Sequence, residues 1–184
     1  MRFSTNKKVL IISTSPRKNG NSEILADEFL KGCVDAGHYA EKISLYDKII
    51  NFCKGCLACQ TTQTCVIKDD TSKIAEKMKN FDVLVFATPI YFYEMCGQMK
   101  TFLDRTNPLF PSDYKFTDIY LLASSADTSE NSMDGAIKGL EGWIECFEKT
   151  SLKGVVKALG ADAAGSVKTL PEVLQAAYNM GKNI

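Results

Sequence analysis

Three apolar runs, KVLIIST (8–14), DVLVFATP (82–89) and DIYLLASS (118–125), constrain this chain more than any other feature. The first two are continuous in β-branched and bulky residues, the pattern of strands buried on both faces of a sheet. Amphipathic stretches of helical period follow them. Leu25, Phe29 and Cys33 recur every four residues and Gly37 supplies a stop, which predicts a helix over Ser22–Ala36. AEKISLY (40–46) reads as a second, weaker strand. Asp70 or Thr71 is placed to cap a helix that turns Ile74, Met78 and Phe81 inward. Pro89 is expected to close its strand, with helices near Gly97–Thr106 and over Ser132–Lys149. LKGVVKALG (152–160) is strand-like, and PEVLQAAYNMGKN (171–183) opens with proline, which the first turn of a helix accepts.

Five strand–helix units in series predict one doubly wound α/β domain over residues 1–184. Its five-stranded parallel sheet would lie between helices in a three-layer sandwich of order 2-1-3-4-5. Ligands of such sheets bind beyond the carboxyl ends of the strands. That rule selects the loops after Thr14, Ala87 and Ala123, with a cysteine-rich loop on the same rim.

Composition excludes several classes. With 22 basic and 22 acidic residues the formal net charge is zero, so no electrostatic footprint points to nucleic acid or a membrane surface. No apolar run approaches the ~20 residues of a membrane span. MRFSTNKK (1–8) lacks the apolar core of a signal peptide, which predicts a cytoplasmic protein. A single histidine, His38, follows a helix stop and reads as a solvated cap; a histidine-based triad is thereby nearly excluded.

The first rim loop, STSPRKNGNS (13–22), brings hydroxyls at Ser13, Thr14, Ser15 and Ser22, a guanidinium at Arg17 and a helix N-terminus. These are the parts that hold a phosphate. The run is neither G-x-x-x-x-G-K-[ST] nor G-x-G-x-x-G, and no cysteine stands where a tyrosine-phosphatase loop needs one. The plainer reading is a hydrophilic turn capped by Asn21 or Ser22. The second rim loop, TPIYFYEMCGQMKTFLDR (88–105), presents Tyr91, Phe92 and Tyr93 beside backbone polar groups, suited to a flat ligand or to closing the core.

Together SPRKNGNS and PIYFYEMCGQMKTFLDR resemble the NADPH-dependent FMN reductase family of flavodoxin-like proteins, with its S-P-R-x-x-x-N-[ST] and P-x-Y-x…K-x-x-x-D-R segments. The resemblance implies that Ser15, Arg17, Asn21 and Ser22 hold the phosphate of FMN and that Pro89, Ile90, Tyr91 and Phe92 border its isoalloxazine ring. A third flavin loop would match ASSADTSEN (123–131), through Ser124. Lys100, Asp104 and Arg105 are expected to have structural roles. The implied activity is FMN-dependent oxidation of NAD(P)H, with electrons passed to flavin, a quinone or an iron–sulfur cluster. The flavin carries the chemistry, so no catalytic side chain is named. The alternative is a flavodoxin-type electron carrier that docks redox protein partners and has no nicotinamide site. Family members often assemble as homodimers or homotetramers.

Four of the seven cysteines crowd one loop as C-x2-C-x2-C-x5-C: Cys53, Cys56, Cys59 and Cys65. Structural zinc commonly takes two separated pairs, whereas three thiols at three-residue steps with a fourth nearby suit a cubane held by one loop. The spacing is similar to that of the iron–sulfur flavoproteins, a branch of the same family, which implies [4Fe–4S]. Zinc, and a loop of plain thiols, stay open. Gly55 would let backbone approach sulfur, and Lys54 and Lys68 would offset cluster charge. Cys33 and Cys146 fall at core spacing, Cys96 packs near a helix start, and Trp143 reads as core or subunit interface.

Overall fold

The computed structural model describes residues 6–184; part of the leader-peptide reading therefore lies outside the described residues. The elements are β1 (Lys8–Ser13), α1 (Asn21–Asp35), β2 (Tyr39–Ser44), α2 (Ala58–Thr62), α3 (Asp70–Met78), β3 (Val83–Tyr91), β4 (Glu94–Met95), α4 (Gly97–Asp104), β5 (Asp118–Ser124), α5 (Asp134–Ile144), β6 (Ser151–Ala158) and α6 (Pro171–Lys182). The sheet runs β2-β1-β3-β5-β6, and every neighbour along that path is parallel. Leaving aside the two-residue β4, this is the expected 2-1-3-4-5 order. Among the described residues no helix is long and apolar enough to cross a membrane.

Two cores explain why the apolar runs do not alternate. On one face Leu10, Ile12, Leu84, Phe86, Ile119 and Leu121 pack under α3, α4 and α5. On the other, Val9, Ile11, Val83, Val85, Tyr120 and Leu122 pack under α1 and α6. Successive residues of one strand point to opposite faces, and both faces are covered. Helices α1 and α6 approach closely at Gly32 and Gly181, where a Cβ would lie 2.0 Å from Tyr178 O and 2.1 Å from Phe29 O respectively.

Five local expectations are corrected. Pro89 does not close β3, which continues to Tyr91 and turns back as β4. Ala87 O accepts the Thr14 N–H, and Ala87 is the last residue paired with β1. Pro89, two residues on, faces the side where β1 has already left, so its missing N–H breaks no ladder bond. The N-cap of α3 is Asp69 rather than Asp70 or Thr71, and it makes no capping bond because its carboxylate serves Arg105. The N-cap of α1 is Gly20, without a side-chain cap from Asn21 or Ser22. His38 is buried, and its Nδ1 accepts the Lys7 N–H at 3.2 Å. Cys146 is exposed, because α5 ends at Ile144 and the chain leaves helical register before reaching it.

Candidate functional site

Four loops at the carboxyl ends of the parallel strands surround one cleft of about 220 Å³. Its lining includes Ser15, Arg17 and Asn21 from the loop after β1, Pro89, Ile90 and Tyr91 from the end of β3, and Ser124 from the end of β5. Thus seven of the nine sequence candidates meet in one place. The other two do not line it: Ser22 is buried beneath the loop, and Phe92 is fully exposed at the hairpin tip.

The loop after β1 is shaped by its own bonds. Ser15 Oγ accepts the Arg17 N–H at 3.1 Å and donates to Arg17 O at 2.9 Å. Asn19 takes a left-handed conformation, φ 56°, and its N–H donates to Glu23 Oε2 at 2.7 Å. The first helical bond of α1 runs from Ile24 N–H to Gly20 O. The N–H groups of Asn21, Ser22 and Glu23 therefore have no helical partner, and the helix dipole adds partial positive charge there. A Cβ on Gly20 would lie 2.5 Å from Ser15 Oγ, so this glycine keeps the cradle open. Ser22 Oγ is buried without a hydrogen-bond partner among the described residues.

Asn21 has a different task from the one its motif implied. Its Nδ2 donates to Ala161 O and Ala163 O, both at 2.9 Å, and its Oδ1 accepts the Val167 N–H at 3.1 Å. With its amide so committed, Asn21 ties the loop after β6 to α1. That loop brings Ala161, Asp162 and Ala164 into the lining, and sequence reasoning missed it. The signal was GADAAG (160–165): small residues bounded by Gly160 and Gly165, both at positive φ, which leave room beside a strand end.

The hairpin joining β3 to β4 turns through Phe92 and Tyr93 at φ 51° and 64°. Left-handed backbone at two aromatic residues is strained by about 1 kcal/mol or more apiece. Tyr93 OH donates to Asp127 Oδ2 at 3.0 Å, which links the tip to the loop after β5 and raises the Tyr93 pKa. Beneath the cleft, buried Cys96 at the N-cap of α4 contacts Thr14 Oγ1 at 3.3 Å and Thr88 Oγ1 at 3.4 Å. Cys96 thus packs the two rim loops together.

The cysteine loop lies between β2 and α3. Cys53 and Cys56 are exposed, Cys65 is half-buried and Cys59 is buried on the short α2. Burial raises the Cys59 pKa, and charge on Cys65, Cys53 and Cys56 raises it further, so the four sulfurs share one electrostatic neighbourhood. Gly55 N–H donates to Cys53 Sγ at 3.4 Å. Among the described residues no three cysteine, histidine or acidic side chains converge as a metal-ligand set. Gly55, Leu57 and Gln63 all have positive φ, so the loop holds two strained non-glycine residues.

Arg105 anchors this loop. Its Nη1 donates to Asn51 O and Asp69 Oδ2, both at 2.7 Å, and its Nη2 donates to Ile67 O at 3.1 Å and Asp69 Oδ1 at 3.0 Å. Residues 51 and 67 bracket the four cysteines. Burial alone would push the Asp69 carboxyl up, but Arg105 and two donors from Asn51 outweigh it and hold it at about 2. Burial works against the charged guanidinium of Arg105, yet its bonds to the Asp69 carboxylate outweigh that and raise its pKa overall. Its Nε is buried and unpartnered among the described residues. Lys100 and Asp104 pair at 2.6 Å on the exposed side of α4.

Comparison with known proteins identifies the family and the fold. The family model for NADPH-dependent FMN reductase matches residues 7–144. An iron–sulfur flavoprotein of Methanocaldococcus jannaschii is 41% identical over 102 residues, covering 55% of this chain and 53% of that protein. Two iron–sulfur flavoproteins of Archaeoglobus fulgidus are likewise matched over 46% and 53% of their lengths, so the chain spans about half of these relatives. A Bacillus subtilis protein named as an NAD(P)H-dependent FMN-containing oxidoreductase is 29% identical across 95% of this chain and 97% of its own. The structure of an NAD(P)H:quinone oxidoreductase from Methanothermobacter marburgensis shares the fold, with TM-score 0.71 and 18% identity over 97% of this chain and 99% of that one. The chain belongs to the NADPH-dependent FMN reductase family, and its relatives include that family's iron–sulfur flavoproteins.

Proposed function

We propose that this chain is a single-domain, FMN-dependent NAD(P)H oxidoreductase that passes electrons to flavin, a quinone or an iron–sulfur cluster in the cysteine loop. The observation that carries the reading is the convergence of Ser15, Arg17, Pro89, Ile90, Tyr91 and Ser124 on one cleft headed by a helix N-terminus. Gly20 supplies the fit test: only a residue without Cβ leaves the loop open enough to receive an anion against Ser15.

In this reading Arg17 grips the phosphate with a forked guanidinium, and the free N–H groups of Asn21, Ser22 and Glu23 add donors along the dipole. Ser15 keeps the loop in shape through its two bonds to Arg17. Asn21 acts at one remove, by holding the loop of Ala161–Ala164 against the cleft. Backbone groups of Pro89–Tyr91 border the ring, and the N–H donors to its polar edge come from Ile90–Phe92, since proline has none. Bound FMN supplies the hydride acceptor and the electron store of the reaction. Asp162 is the one carboxylate of the lining, and no histidine lines it, so the protein's contribution is binding and orientation.

Cys53, Cys56, Cys59 and Cys65 are the residues that would hold [4Fe–4S], with one-electron transfer as the chemistry it supplies. Four thiols fit such a group by type. Their arrangement is not preformed, so the loop between its Arg105-fixed ends would have to draw Cys53 and Cys56 inward. The exposed aromatic hairpin suits a homodimer or homotetramer, and the reading keeps the cytoplasmic location.

The test is an absorption spectrum of protein purified without oxygen, with iron and acid-labile sulfide assayed on the same sample. Flavin bands with about four iron and four sulfide per chain would support both parts of the reading. Flavin bands without iron would leave the reductase and remove the cluster. Failure to bind FMN on titration would sink the central claim, and flavin without NAD(P)H oxidation would leave an electron carrier.

A further inference from the structure

An arginine side chain has five N–H groups, and the bonds of Arg105 account for four of them. Nη1 spends both of its own on Asn51 O and Asp69 Oδ2, and Nη2 spends both on Ile67 O and Asp69 Oδ1. The fifth, on Nε, is buried and has no partner among the described residues. A guanidinium that grips a carboxylate through its two Nη atoms leaves Nε–H on a separate edge, so the orphan is not aimed at Asp69. Taking such a donor out of water without an acceptor is costly.

The surroundings narrow what that acceptor is. A buried water would need several polar partners of its own. The neighbouring oxygens are already committed: Asp69 Oδ2 also accepts the Asn51 N–H, and Ile67 O also accepts Ser72 Oγ–H. Cys65 stands two residues before Ile67, whose carbonyl is fixed on Nη2, and its side chain is near enough to act on the guanidinium electrostatically. Cys65 is half-buried, whereas Cys53 and Cys56 are exposed. A free thiol accepts a hydrogen bond weakly, but a sulfur that carries metal charge accepts one well.

We propose that Arg105 is a positioning residue of the cysteine loop, its Nε–H held ready to donate to the Cys65 sulfur when that sulfur binds metal. The inference rests on the reading of Cys53, Cys56, Cys59 and Cys65 as one metal-holding set. Asp69 immobilises the guanidinium, so the bond would make Cys65 the anchored end of the set while Cys53 and Cys56 close toward it. A hydrogen bond of this kind orients the ligand and draws electron density from its sulfur, which eases reduction of a bound cluster.

Cadmium-113 alone, added to the full chain freed of iron, tests both claims in the wild type. Absorbance in the thiolate-to-cadmium charge-transfer band counts the thiolates bound. Magnetic resonance then reads scalar coupling between the metal and an arginine Nε–H, which is transmitted only through an N–H···S bond. Arg2, Arg17 and Arg105 are the arginines of the chain, so few signals compete. The expected result is a four-thiolate band with coupling at Arg105 Nε–H. Four thiolates with no coupling there would overturn the proposal and leave the cysteine set. Fewer than four would overturn the set and the proposal with it. Arg105→Lys keeps the positive charge but has no Nε–H donor. Reconstituted with iron and sulfide, it should show an equilibrium constant for one-electron reduction about tenfold lower, a fall of about 59 mV in potential. An unchanged potential would count against the Nε–H bond, and should this variant not fold, the wild-type coupling decides alone.

Discussion

Arg105 grips Asp69 through two parallel N–H···O bonds of 2.7 and 3.0 Å, and the same guanidinium reaches the backbone at Asn51 and Ile67. One buried side chain at the C-cap of α4 thus closes both ends of the loop that carries four cysteines. Everything between those ends is exposed or half-buried except Cys59.

Asp69→Asn should destabilise the protein by roughly 3–5 kcal/mol at pH 7, since it leaves the Arg105 charge buried and uncompensated. Acid provides a second reading. The Asp69 carboxyl is held at about 2 against an ordinary 3.8, so its contribution is present above pH 4 and is lost as pH falls toward 2. That shift is worth about 2 kcal/mol. Urea unfolding of wild type should show this loss between pH 4 and 2, and Asp69→Asn should lack it. Equal slopes in the two proteins would mean that the pair does not set the acid stability.

Arg17→Ala should weaken FMN binding about 10- to 100-fold, the range expected for losing a charge-assisted hydrogen bond to phosphate. Riboflavin, which has no phosphate, should bind both proteins alike. Gly20→Ala should weaken FMN about tenfold by pushing a Cβ against Ser15 Oγ. Fluorescence titration with both flavins checks this, and a matching loss of riboflavin would place Arg17 away from the phosphate.

Phe92→Asn should relieve backbone strain, because asparagine tolerates positive φ better than a bulky residue. In dilute protein the expected gain is about 0.5–1 kcal/mol of unfolding free energy. If the exposed hairpin joins subunits, the same substitution should weaken self-association about tenfold in sedimentation equilibrium. Unchanged association would remove Phe92 from the interface.

His38 is kept neutral by burial and by the nearby Lys7 charge, which lower its pKa below 6.5. The unfolded chain then binds the proton more readily, so stability is complete above pH 6.5 and declines as pH falls through it toward the folded value. His38→Gln should flatten the decline in urea midpoint between pH 7.5 and 5. An unaltered pH profile would show that His38 titrates alike in both states.

The rim loops that line the cleft were legible because each is a local device. SPRKNGNS carries its donors within a few residues of a helix start, and Ser15, Arg17 and Gly20 act on their own backbone. The role of Asn21 was not legible, since its partners Ala161, Ala163 and Val167 lie some 140 residues away. His38 and Cys146 were misread for the same reason. Burial depends on what packs against a residue, and periodicity along one helix does not report that.

By itself the sequence determined the strand order and the rim on which the cleft opens. Unbroken apolar runs can be buried only between two helical layers, and parallel strands need right-handed crossovers. Its cysteine spacing determined that four thiols share one loop. Only the tertiary structure decided which side chains close that loop and how the segment after β6 walls the cleft. Those features arise where distant segments meet, and the free energy of such meetings depends on burial and partner geometry that no single segment encodes.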